Sequence, residues 1–412
     1  MIHFNSLDFL LLCSLALLLI RAFGEARRKT VLLSFCGLFT IVATNEFVFV
    51  ALLLFSIVYW RIGHVLRGEG KGRRVLLWGA LGLLWSLAVL SSRSDWMQEV
   101  GERLIGAAPV LGTLRLRSFI VVWSSRVGVS FLALRLTCYL VDATFQRGRL
   151  SLMDFLLYLF YFPAFIAGPV DRPAGFVAKI DSWSSATWRD LGEGFERFVG
   201  GLFKKFVLAD LISSYTIAEL SAGDTGVIEL WLGLFAYSLY IYWDFSGYTD
   251  IALGVGRCIG LQLPENFDRP YSKSNLTDFW NSWHMSFSFW LRDYVFAPTN
   301  LAIGRRWLLP PMFAAVPALL LTMLLCGLWH GYAAGFLIWG MHHGVGLSSH
   351  RIYQRWIQNR LGRKRYRQLS KRRAYQRLGQ LVTFIYVSVG WCWFVWPVDR
   401  ALVGLARMVG LN

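Results

Sequence analysis

Long apolar runs separated by short basic turns constrain this chain more than any other feature. Phe9–Ile20 ends at Arg21, and Val31–Trp60 lies between Arg27-Arg28-Lys29 and the basic stretch Arg61–Arg74. Val75–Leu90, Ile228–Trp243, Leu308–Leu347 and Leu381–Trp396 continue the pattern. A crossing helix needs about 20 apolar residues, and a soluble surface needs about a quarter of its residues charged. Here 16% of 412 residues are charged and 56% are hydrophobic, so lipid is the solvent for most of the surface. The expected class is an all-α, polytopic membrane protein with roughly ten spans.

The formal net charge of +17 does not point to nucleic acid, because of where it falls. Arg351–Arg377 holds eleven Lys and Arg residues and no acid, directly before Leu381–Trp396. Positive charge beside spans marks the cytoplasmic side, and anionic lipid headgroups are its natural partner. Both basic turns, Arg27–Lys29 and Arg61–Arg74, are then cytoplasmic, which places the N-terminus outside and Ser91–Gly106 in an external loop or surface helix. Met1–Asp8 lacks the basic start of a secretory signal, so Phe9–Ile20 reads as a retained helix.

Other segments are less regular. Asn45-Glu46 breaks Val31–Trp60 into a hairpin, and Pro163 and Pro169 break Leu152–Val170. Phe119–Val141 carries Arg126 and Arg135, while Glu193–Ile212 mixes Phe and Leu with Arg197, Lys204 and Lys205, as interfacial helices do. The patch Asp244–Asp250 separates Ile228–Trp243 from Ile251–Leu261. Leu308–Leu347 suffices for two crossings, Arg351–Arg377 reads as a loop, and Val398–Gly410 looks like an amphipathic tail. Without internal repeats, a single membrane domain over 1–412 is the simplest organisation, with peripheral spans at about 1–117, a core at about 118–396 and a tail at 397–412.

Six scattered cysteines, mostly within apolar runs, suggest neither a zinc site nor a disulfide framework. The absence of G-x-S-x-G and H-E-x-x-H removes the serine-elbow hydrolase and the zincin. His342, His343 and His350 lack a nearby carboxylate or Cys partner for a metal, and Cys326, one turn before His330, reads as packing. Two histidines have informative contexts. His330 lies deep in the apolar stretch Leu320–Gly340, where an ionisable group usually faces an internal cavity, with Gly327, Gly331 and Gly335 around it. A neutral histidine bonded to a neighbouring helix is the alternative. His284 lies in Phe279–Phe289 near Asp278, Asn281, Arg292 and Asp293, either on a wet cleft wall or in an interfacial aromatic belt.

The segments YFPAFIAGPVDR (Tyr161–Arg172), YWDFSGYTDIALGVGRCIGLQLPENF (Tyr242–Phe267), DFWNSWHMSFSFWLRDYVF (Asp278–Phe296) and CGLWHG (Cys326–Gly331) resemble the membrane-bound O-acyltransferase family in letters, order and spacing, from about Gly128 to the last span. They are similar to its bacterial branch, which includes proteins of teichoic-acid D-alanylation and alginate O-acetylation. GPVDR, WNSWHMSFSFW and the modest length lean to the first, WLRDYVFAP and GWCWFVWPVDRALVGL to the second.

The resemblance implies a core with a central cavity or tunnel and short re-entrant or interfacial helices. It places the essential histidine at His330 as general base and a second polar position at His284. Asp244, Asn281, Trp283, Arg292, Asp293, Gly327, Trp329 and Gly331 are the candidate tunnel residues, with no metal. It implies an acyl thioester donor, on a phosphopantetheine carrier protein or CoA at the cytoplasmic face, and no permanently bound cofactor. The expected acceptor is an envelope polymer or a partner acyltransferase outside a cytoplasmic (inner) membrane. A transporter or channel is the competing class, for which the missing repeats are unfavourable. A scaffold without chemistry would leave His330 unexplained.

Overall fold

The computed structural model describes residues 7–23, 25–43, 46–91, 129–145, 150–165, 168–184, 186–308 and 310–411. Among them the regular elements are helices, and β-type pairing is limited to the isolated bridge between Phe267 and Trp283. The protein is all-α. The N-terminal residue, Arg126, Gly128 and all but the first residue of the expected loop Ser91–Gly106 lie outside the described residues.

Three described helices are long and apolar enough to cross a membrane: Val48–Arg67, Met312–His330 and Arg373–Val395. Phe9–Ala22 and Leu152–Ala164 are shorter apolar helical segments. The helices group into two compact units, Met1–Gly200 with Thr249–Pro264, and Gly201–Tyr248 with Glu265–Asn412.

In the first unit, α1 (Leu7–Ala22), α2 (Glu25–Ala43), α3 (Glu46–Arg67) and α4 (Arg73–Ser91) follow the apolar runs, and Asn45 of the expected hairpin lies outside the described residues. Arg135, in α5 (Val129–Thr144), is 3% exposed. Its guanidinium donates to the carbonyls of Leu159 at 2.8 Å and Ala164 at 2.5 Å. These lie at and just beyond the end of α6 (Leu152–Phe160), which stops ahead of Pro163. Final helix carbonyls have no intrahelical partner, and a cation there also complements the helix dipole. That explains how a charge is accommodated inside an apolar run.

After α7 (Pro173–Asp181), α8 (Trp188–Phe203) carries the amphipathic pattern. Trp188, Phe195 and Val199 are exposed, while Arg197 ion-pairs with Asp250 at 3.0 Å. Asp250 belongs to α9 (Val227–Ile259), a single helix that runs straight through the polar patch expected to separate two segments. Its carboxylates have partners: Asp250 has Arg197, and Asp244 has Lys205. A Cβ at Gly247 would come within 2.8 Å of the Gly201 carbonyl and the Lys205 amide nitrogen, so glycine there permits backbone contact. The polar residues join helices instead of ending one.

The second unit contains α10 (Leu276–Trp280) and α11 (Met285–Leu291), each too short to cross, a π-helical turn at Arg292–Phe296 and α12 (Ala297–Trp307). A tight hairpin follows, from α13 (Pro311–His330) to α14 (Ala334–Leu361). Gly327 faces the Phe336 carbonyl and Gly340 faces the Met323 carbonyl, so the two backbones touch where a Cβ would not fit. The stretch Arg351–Arg377, expected as a loop, is helical: α14 runs to Leu361, α15 covers Arg363–Ser370 and α16 covers Arg373–Val395. Arg, Lys and Gln are good helix formers, and Gly362, at φ +77°, makes the left-handed turn that separates α14 from α15. The amphipathic tail forms α17 (Val398–Met408), burying Ala401, Gly404 and Met408.

Candidate active site

His330 is the last residue of α13, and its imidazole sits in an aromatic box. Ring centroids lie 4.8 Å away at Trp329, 5.0 Å at Phe394 and 5.2 Å at Trp339, with Phe336 stacked at 6.3 Å. The box is built from α13, α14 and α16. It is close because Gly327 and Gly335 let those helices meet at the Phe336 and Trp393 carbonyls.

His284 links α10 to α11 and is 3% exposed, with φ at +44°. The left-handed region costs a non-glycine residue about 1–2 kcal/mol. Asn266, fully buried, braces it: the Asn266 carbonyl accepts from Met285 N at 2.9 Å, and its side-chain oxygen from Ser286 N at 3.1 Å. The same oxygen lies 3.4 Å from His284 Nδ1. With an oxygen facing Nδ1, that nitrogen carries the proton and Nε2 is the basic one. Burial, reinforced by the neighbouring His330, pushes the His284 imidazole down to about 3, so it is neutral at physiological pH.

Trp329 joins the two histidines. Its ring is 4.8 Å from His330 and 6.5 Å from His284, and Phe287 packs on it at 4.4 Å. Phe245 meets His284 edge-on at 4.7 Å. Two imidazoles thus converge on one indole inside an apolar shell, where a hydrogen bond or proton transfer is little screened by water.

The other candidates divide. Asn281 and Arg292 line a cavity of about 700 Å³, together with Thr277, Trp280, Arg351 and Arg355, and no carboxylate among the described residues lines it. Neither histidine lines it either, but Trp280 leads inward: its ring lies 5.9 Å from Trp339, which is 5.2 Å from His330. Arg292 also pairs with Asp293 at 2.8 Å. Trp283 stacks on Phe279 at 5.6 Å and pairs with Phe267, scaffolding the His284 loop from behind. Asp244 is held by Lys205. Gly327 and Gly331 are filled against Phe336, so they serve close packing.

Asn266, Phe245, Trp339 and Phe394 also shape the site and were not singled out from the sequence. Asn266 alone carried a signal, as a lone amide in Pro264–Phe267. His342, His343 and His350 do not form one cluster: His342 Nε2 meets the Tyr386 carbonyl at 3.0 Å, and His350 Nδ1 meets Thr277 Oγ1 at 3.1 Å.

The sequence profile of the membrane-bound O-acyltransferase family matches residues 31–389. A teichoic acid D-alanyltransferase of Bacillus subtilis is 28% identical over 328 residues, covering 74% of this chain and 82% of the relative. A probable alginate O-acetylase of Pseudomonas aeruginosa is 32% identical over 355 residues, covering 83% and 63%. A peptidoglycan O-acetyltransferase of Helicobacter pylori is 30% identical over 336 residues, covering 72% and 61%. The chain therefore spans less than two thirds of the length of the last two. With these matches and its apolar helices, the chain belongs to the membrane-bound O-acyltransferase family and is a membrane-embedded acyltransferase.

Proposed function

We propose that the protein moves an acyl group, D-alanyl or acetyl, from a thioester made on the cytoplasmic side to a hydroxyl of an extracytoplasmic envelope polymer, directly or through a partner acyltransferase. The observation that carries this reading is the convergence of His330 and His284 on Trp329 within one aromatic shell. The names of the relatives, which specify teichoic acid, alginate and peptidoglycan, support a polymer acceptor.

In this mechanism a nitrogen of His330 takes the proton of the acceptor hydroxyl as its oxygen attacks the thioester carbonyl. The carbon–oxygen bond forms, the carbon–sulfur bond breaks, and the departing thiolate recovers the proton from the imidazolium. General-base help of this kind contributes about 10²–10⁴-fold. His284, held by Asn266 with its Nε2 unprotonated, accepts a hydrogen bond there and so orients the attacking group. The thioester is already activated, so neither a serine nucleophile nor a resident cofactor is required. The donor is a phosphopantetheine carrier protein or acyl-CoA, the membrane is the cytoplasmic one, and the basic face of α14–α16 rests against anionic lipid.

The test is transfer by the purified full chain in lipid nanodiscs, supplied in turn with D-alanyl carrier protein and acetyl-CoA and a hydroxyl-bearing polymer. His330→Ala is expected to fold and to lose transfer by about 10²-fold or more. A folded variant with near-normal turnover refutes the assignment, and one that fails to fold favours a purely structural His330.

A further inference from the structure

Acyl transfer from a thioester needs two groups from the protein. A base takes the proton of the attacking hydroxyl, and a hydrogen-bond donor steadies the charge that grows on the carbonyl oxygen. His330 fills the first role. His284 does not fill the second, because its Nδ1 proton faces the Asn266 oxygen at 3.4 Å and leaves Nε2 as an acceptor. Among the rings around His330, Phe336 and Phe394 have no proton to donate, and Trp329 is shared between the two imidazoles and Phe287. Trp339 remains.

Three observations single it out. Trp339 is 2% exposed, yet its Nε1 has no hydrogen-bond partner among the described residues. Buried polar groups almost always have partners, and an indole N–H can only donate, so what this one lacks is an acceptor oxygen. The indole also meets the His330 ring edge-on at 5.2 Å. Hydrogen bonds of about 3 Å on either side of a reacting carbonyl set a base and an oxyanion donor roughly 5–7 Å apart, and these two rings have that separation. Finally, the indole is clamped. It stacks on Trp391 at 6.0 Å and packs against Phe394 at 5.4 Å and His343 at 5.0 Å. The next residue, Gly340, brings the α14 backbone against the Met323 carbonyl of α13. A donor fixed before the reaction needs no reorganisation during it.

We propose that the Trp339 indole N–H is a catalytic hydrogen-bond donor to the thioester carbonyl oxygen. The inference rests on the assignment of His330 as base. As the hydroxyl oxygen bonds to the carbonyl carbon, the carbonyl π pair moves onto its oxygen, and the Trp339 N–H bonds to that oxygen without giving up its proton. Collapse of the tetrahedral intermediate restores the carbonyl and expels the thiolate, which takes its proton from the His330 imidazolium. The hydrogen bond strengthens only as charge develops, so Trp339 raises turnover and does not hold the donor.

The experiment follows steady-state transfer to a hydroxyl-bearing polymer by the full chain in lipid nanodiscs, with D-alanyl carrier protein and with acetyl-CoA. It compares the wild type, His330→Ala, Trp339→Phe and a chain carrying 3-benzothienylalanine at position 339. That amino acid keeps the shape of the indole and has sulfur in place of the N–H, so it separates the hydrogen bond from packing. Losing one oxyanion donor costs about 10²–10³-fold in kcat. Both position-339 variants are expected to fall by that factor, with an unchanged KM for the donor. Near-normal kcat in the benzothienyl chain overturns the proposal, because packing then accounts for Trp339. A raised KM with unchanged kcat overturns it as well, since that marks a contact made equally in the ground state. If the same isostere costs kcat at position 329 and not at 339, the donor is Trp329 and the proposal is wrong. His330→Ala keeps the two assignments apart. Retained turnover there removes the base and the Trp339 role together, whereas lost turnover there with full activity in the benzothienyl chain removes Trp339 alone. Should Trp339→Phe not fold, the isostere decides.

Discussion

Replacing Asn266 by alanine tests whether the backbone around His284 holds a catalytic geometry. The side-chain oxygen that would be lost accepts from Ser286 N at 3.1 Å and faces His284 Nδ1 at 3.4 Å, in a residue with no solvent exposure. Losing the shorter bond costs about 1 kcal/mol net, and up to about 3 kcal/mol where a buried group is left unsatisfied. The same bonds offset the left-handed strain of about 1–2 kcal/mol at His284, where φ is +44°. With them gone, the link between α10 and α11 relaxes and the imidazole turns away from Trp329. A displacement near 1 Å at a reacting centre costs about 10²-fold. The expected outcome is a variant with a modestly lower melting temperature and kcat down by about 10–100-fold. Transfer kinetics of Asn266→Ala, His284→Ala and the double variant give the answer as a cycle. If Asn266 acts through His284, the double variant is no slower than His284→Ala. If Asn266→Ala costs the same factor with and without His284, the positioning argument is wrong.

Further outcomes follow from other parts of the structure. Gly327→Ala pushes a methyl group into the Phe336 carbonyl and should destabilise the α13–α14 hairpin by about 1–3 kcal/mol, read as a lower melting temperature; an unchanged value would mean that the hairpin has room to open. A reporter fused in α15 (Arg363–Ser370) should register as cytoplasmic and one at the N-terminus as external, and labelling of α15 from outside intact cells would reverse the orientation and the donor route. Because the His284 imidazole is held at about 3 in the folded protein, against an ordinary value near 6.5, the unfolded chain binds the extra proton below that pH. Stability should therefore fall by about 1.4 kcal/mol by pH 5.5, and His284→Asn, which tolerates the left-handed backbone, should lose less between pH 7.5 and 5.5.

Much of the architecture was legible along the chain because its causes are local. Apolar runs of helical length and the stop before Pro163 each depend on a few consecutive residues, and α1 to α4 and α6 follow them. The rest depends on distant partners, or was read from charge where helix propensity decides. Asp244 and Asp250 stand out as a polar patch between apolar stretches, and Lys205 and Arg197 pair with them along the continuous α9. The basic stretch after Arg351 looked like a loop from its charge, yet its residues are good helix formers and α14 runs on to Leu361. The glycines around His330 leave room for a backbone or a substrate to approach, and Gly327 and Gly335 are met by the Phe336 and Trp393 carbonyls.

The sequence by itself determined the membrane class and the family, because composition and ordered motifs are properties of the chain alone. Only the tertiary structure decided what each histidine faces. Trp329 bridges His330 and His284 through residues 45 positions apart, and Asn266 reaches His284 from another segment. Trp280 of α10 meets Trp339 and His343 of α14, a contact that appears only once those helices pack. Side-chain convergence is set by helix packing and loop closure, and neither leaves a period or a spacing in the linear chain.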